Sequence, residues 1–115
     1  MANTFKNAIK SNVTTTGSDY DTLYTAPSSS GNTAIILGLA LANKTTSAVT
    51  VKVQINDTSA SNATIQLLED VSIPANTTLE VLGGQKYVLE AGDILKVQAG
   101  TGTAIDAFLG VMERT

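Results

Sequence analysis

Residues 48–56 (AVTVKVQIN) constrain the chain more than any other stretch. Val49, Val51, Val53 and Ile55 recur at every second position, with Thr50, Lys52 and Gln54 between them. Side chains of an extended strand point alternately to opposite faces, so this spacing builds one apolar side and one wet side. A helix would scatter the same residues around its circumference. The chain therefore holds a half-buried strand that needs a sheet around it and a second layer beneath it.

The rest of the sequence is punctuated to match. Residues 21–25 (DTLYT) are β-branched and aromatic, and they stop at the loop 27–32 (PSSSGN). Residues 34–42 (AIILGLALA) are apolar throughout, which predicts a strand buried on both faces. At nine residues the run is far short of the roughly 20 a membrane-spanning helix needs. After a polar turn at 57–62, the pattern resumes over 63–68, passes the acidic pair Glu69-Asp70, continues over 71–73, and breaks at Pro74-Ala75-Asn76. Short runs follow around Leu79 and Val81, at 87–89, at 94–99 and at 105–112, set apart by Gly83-Gly84, Ala91-Gly92-Asp93 and residues 100–103.

Turn signals every 8 to 12 residues or so predict an all-β chain. The expected fold is a single-domain antiparallel β-sandwich, jelly-roll-like, with about eight strands over residues 1–115. Residues 1–13 are expected as an extended arm or first strand. Phe5, Ala8 and Ile9 have helical spacing, but the Asn- and Thr-rich residues after them do not continue it.

Composition removes most chemistry. The 115 residues include no Cys and no His, which excludes disulfide frameworks, zinc fingers, and Ser-His-Asp or Cys-His catalysis. A net charge of -3 speaks against a partner that is a phosphate backbone. Charged residues are 15% of the chain, below the usual quarter, so polar positions carry hydroxyl groups instead. No nucleic acid, membrane, metal or cofactor is expected, and no enzyme. The opening residues have no apolar segment of the secretory kind.

The remaining carboxylate candidates are Glu69-Asp70 and the group Asp19, Asp21 and Asp57. Neighbours on a strand diverge, so Glu69 and Asp70 could converge only through a bulge. All five are expected to be solvated turn acids. Five Asn-x-Ser/Thr sequences occur, at Asn12, Asn43, Asn56, Asn62 and Asn76, and they are read as turn punctuation through Asx geometry. Gly83-Gly84 and the Gly100/Gly102 pair lead into no helix, so they are turns and not phosphate cradles. The five aromatic residues are few for a sugar-stacking platform, and most stand at apolar strand positions. Phe5, Lys6, Ile9 and Lys10 are the candidate partner contacts: two large anchors and two cations with no acid among residues 1–13. The alternative is that Phe5 and Ile9 close the domain's own core.

Taken together, several segments resemble the small virion structural proteins of tailed bacteriophages, especially marine and cyanobacterial phages. They are the opening Met-Ala-Asn-Thr-Phe-Lys-Asn, residues 24–27 (YTAP), 38–43 (GLALAN), 73–79 (IPANTTL) before Gly83-Gly84, and 89–97 (LEAGDILKV). The last stretch is also common in jelly rolls of the tumour-necrosis-factor and complement type. The resemblance implies a β-sandwich present in many copies per particle, located in the virion and assembled in the host cytoplasm. It would be a capsid decoration (cement) protein, or a neck, tail or fibre part. Its partners would be itself, as a homo-oligomer such as a trimer, and the major capsid protein or other virion proteins. The competing expectation is a carbohydrate-binding sandwich module.

Overall fold

The computed structural model describes residues 3–15, 20–29, 31–58, 63–82 and 86–114. Nine strands are present: β1 (Asn3–Lys10), β2 (Asp21–Thr25), β3 (Thr33–Asn43), β4 (Val49–Asp57), β5 (Ala63–Ile73), β6 (Thr78–Glu80), β7 (Tyr87–Glu90), β8 (Ile94–Ala99) and β9 (Ile105–Arg114). Sheet A runs β1-β9-β3-β6, with β7 also on β3, and sheet B runs β2-β8-β4-β5. The short β6 and β7 share one edge of β3 end to end, β7 on its first residues and β6 on its last. All the pairings are antiparallel. The chain crosses between sheets so that first and last strands lie side by side, the winding of a jelly roll. The expected all-β sandwich is borne out.

The core lies between the sheets. β4 contributes Val49, Val51, Val53 and Ile55, all buried, while Thr50, Lys52 and Gln54 face outward as the alternation requires. Leu95 and Val97 of β8 join them from sheet B. Ile36, Leu39 and Leu41 of β3, with Leu109 and Val111 of β9, meet them from sheet A. Each such side chain stabilises the fold by about 1.5–3 kcal/mol relative to exposure. The loop after β1 stitches the layers: the Val13 amide donates to Ile105 in sheet A (2.9 Å), and the Thr14 carbonyl accepts from Ala99 in sheet B (2.9 Å).

Residues 34–42 depart from expectation. They are not buried on both faces. Ala34 and Ile36 face the core, but a bulge between Ile36 and Gly38 inserts Leu37 and reverses the phase, so that Leu39 and Leu41 face inward after it. Ile35, Leu37, Ala40 and Ala42 therefore stand on the outer side, where no second layer covers them among the described residues. Apolar residues on both faces predict burial on both; sheet B covers only one.

Turn chemistry follows the Asn and Gly residues. Asn43 is buried, and its Nδ2 donates to the carbonyls of Ser47 (2.8 Å), Ile73 (3.0 Å) and Pro74 (3.3 Å). Its Oδ1 accepts from the amide (2.9 Å) and hydroxyl (2.7 Å) of Thr45, an Asx turn that also pins the β5–β6 corner. Asn12 and Asn76 adopt the left-handed region, with φ of 56° and 54°, which Asn tolerates better than most residues. Gly92, at φ 81°, makes the tight turn before β8, where buried Asp93 accepts from the Glu90 amide (2.9 Å). Asn62 and Gly83-Gly84 lie outside the described residues.

Candidate functional site

The acidic pair comes together after all. Bulges in β5 against β4, with Asp70 at φ 53°, turn Glu69 and Asp70 to the same side. Both meet their own cation: Lys52 Nζ lies 2.6 Å from Glu69 and 3.1 Å from Asp70. These hydrogen bonds, Glu69 first, hold the Lys52 ammonium well above the usual lysine range. The pair is thus a partly neutralised surface cluster on the outer side of sheet B. Asp21 accepts from the Thr14 amide (2.7 Å). Asp57 ends β4 four residues past Val53, the residue that shares Val97 with Asp21, or about 13 Å along the strand. Asp19 lies outside the described residues. Among the described residues no three carboxylates lie close enough to hold a metal ion.

A cluster without any local sequence signature joins the two layers at one edge. Glu113 of β9, largely buried, accepts from the Tyr24 hydroxyl of β2 and pairs with Lys6 of β1 at 3.0 Å. The hydrogen bond from Tyr24 holds the Glu113 carboxyl below its ordinary range, with Lys6 adding to the effect against the cost of burial. Burial, reinforced by that bond and the Glu113 charge, pushes the Tyr24 hydroxyl well above the ordinary tyrosine value. At the other end of β9, Asp106 is lowered chiefly by the Asn12 amide (3.0 Å) and by Lys44, also 3.0 Å away. Nothing in the spacing of Lys6, Tyr24 and Glu113 announces their meeting; it depends on the winding of the chain.

β1 separates the four candidate contact residues by side. Its register on β9 sets Phe5 opposite Met112 and Ile9 opposite Phe108, on the outer side, and sets Lys6 opposite Val111 and Lys10 opposite Ala107, on the inner side. Phe5 and Ile9 are 72% and 71% exposed, so neither closes the core.

The two anchors belong to a larger surface. Six large apolar side chains are exposed among the described residues, and five of them (Phe5, Ile9, Leu37, Val88 and Phe108) stand on the outer side of sheet A. Phe108, in β9, is half exposed. Gly38 and Gly110 pair directly across β3 and β9 beside it. Two shallow grooves flank Phe108. One, of about 310 Å³, is lined by Ile9, Ala42 and Asp106, and the other, of about 240 Å³, by Leu37, Glu80 and the two glycines; Ala40 lines both. Sheet B is different outside: Lys52, Gln54, Gln66, Glu69 and Asp70 form a hydrogen-bonded polar network there.

Neither a protein-family model nor a curated protein matches the chain. Solved structures do. The chain is similar to one from Bacillus endospore appendages, described as disulfide-linked pili, with TM-score 0.54 and 11% identity over 98% of this chain and 88% of that one. It is similar to one in the capsid of the Helicobacter pylori bacteriophage KHP30, with TM-score 0.51 and 14% identity over 98% and 87%. A third, from the infectious bursal disease virus Gx strain, has TM-score 0.51 and 12% identity over 98% of this chain and 33% of that one. What is shared is the fold.

Proposed function

We propose that this protein is a non-enzymatic structural component of a phage virion, acting as a decoration protein on the outer capsid surface. The observation that carries this reading is the outer side of sheet A, a strand face with apolar side chains where a solitary sandwich would place polar ones. A face of that kind gains free energy by being covered. Repeated across a lattice, a modest gain per copy becomes a large one per particle. Likeness in fold to a phage capsid chain and to a viral chain supports the setting. The appendage protein of similar fold is disulfide-linked, whereas this chain has no Cys, so disulfides do not join its copies. A closed homo-oligomer is the usual symmetric state.

Immunogold labelling of intact particles, together with density fitting, tests the placement. Label and matching density at capsid junctions, with the purified protein binding to expanded capsids, are expected. Label confined to neck, tail or fibres would transfer the role there, and label absent from the particle would end the virion reading.

A further inference from the structure

We infer that the outer side of sheet A docks against a second copy of this chain, an apolar ridge of one copy filling the Gly38–Gly110 trough of the other. This deepens the proposed reading, since it names the surface that joins copies.

The size of the face is the first reason. At their observed exposures the two phenylalanines and three aliphatic residues leave on the order of 500 Å² of apolar surface in water, given about 150–250 Å² for a whole aromatic side chain. That is as large as the largest patch on a typical monomer. With a polar rim it approaches the ~800 Å² per partner of a stable interface.

Charge is the second. The middle of the face holds Phe108, Gly110, Met112, Ile35, Gly38 and Ala40, with Asn7 beside Gly110, none of them charged. At one end Asp106 is paired with Lys44, and Glu80 stands at the β6 margin. The partner must be apolar and uncharged over the same area. The outer side of sheet A itself meets that requirement, whereas the polar network outside sheet B does not.

Shape is the third. Glycine inside a strand weakens it, and it often marks a place where another backbone or ligand comes close. At Gly100 the fold accounts for the glycine: a Cβ there would lie 2.5 Å from the Thr50 hydroxyl oxygen. At Gly110 a Cβ would meet nothing within 4 Å, at Gly38 only Glu80 Oε1 at 4.0 Å, and neither has positive φ. The single molecule does not require them. Together they leave a trough beside the Phe108 ring, so the face carries both a projection and a receptacle.

Sedimentation of the purified chain from low to high micromolar concentration tests the contact. Wild type is expected to associate, and Phe108→Glu to remain a folded monomer by circular dichroism. Gly110→Leu separates mating from mere stickiness. It adds apolar area yet fills the trough, so it should weaken association by about tenfold or more, as loss of a central contact does. Lys96→Glu, on sheet B, should leave association unchanged. A wild type that stays monomeric, a Phe108→Glu chain that associates normally, or a Gly110→Leu chain that associates more tightly would each overturn the inference. If Phe108→Glu fails to fold, Gly110→Leu still decides. A monomer that labels particles would remove this contact and spare the virion role; an oligomer absent from particles would do the reverse.

Discussion

At the scale of single residues, the Lys6–Tyr24–Glu113 cluster ties stability to pH. The folded chain holds the Glu113 carboxyl below its ordinary value of about 4.5. As pH falls through that value the unfolded chain takes up the proton first, so stability present at neutral pH declines from there through the folded value. Tyr24 is raised above its ordinary 10.0, so the folded chain keeps a proton the unfolded chain gives up, and stability declines as pH rises past 10. Tyr24→Phe should cost about 1–3 kcal/mol at neutral pH, because it takes a hydrogen bond from a buried carboxylate. It should also flatten both limbs of a urea midpoint-versus-pH curve; unchanged limbs would show that other groups dominate. Asn43 has a plainer role. Asn43→Ala removes hydrogen bonds to three carbonyl groups and to the Thr45 amide at one corner, so a loss of about 2–4 kcal/mol is expected in chemical denaturation.

At the scale of elements, β4 was legible and β3 was not, for one physical reason. Period two in Val49–Ile55 separates the faces because only one face is apolar. In residues 34–37 (AIIL) every position is apolar, so the alternation carries no phase and the bulge at Leu37 leaves no mark. Deleting Leu37 would join Ile36, opposite Val111, directly to Gly38, opposite Gly110, and so restore a regular register with Ala34, Ile36, Leu39 and Leu41 still facing the core. Cooperative unfolding by circular dichroism is therefore expected to persist, at a cost of no more than about 3 kcal/mol. Loss of cooperative unfolding would show that the bulge itself is needed to hold β3 on β9. On β1 the anchors Phe5 and Ile9 could be named from their size. Their separation from Lys6 and Lys10 follows from odd and even positions once the segment is a strand. The bulge that turns Glu69 and Asp70 onto Lys52 could be stated from sequence only as a condition.

At the scale of the whole molecule, sheet A cannot be completed until both ends of the chain are available. β9 lies between β1 and β3, and its pairing with β1 joins Asn3 to Arg114. Loop-closure entropy must be overcome before such distant contacts contribute. Stopped-flow refolding is therefore expected on the scale of milliseconds to seconds. Microsecond refolding would imply that local hairpins carry more of the stability than the winding indicates.

That same adjacency has a practical corollary. Because Asn3 sits beside Arg114, a short peptide bridge could splice the first strand to the last and turn them into a hairpin, freeing new ends to be cut at the Gly92 turn. A permuted chain of this kind would keep every rung of both ladders. Likewise, cargo grafted at either extremity would emerge from one corner, leaving the opposite pole of the body unencumbered.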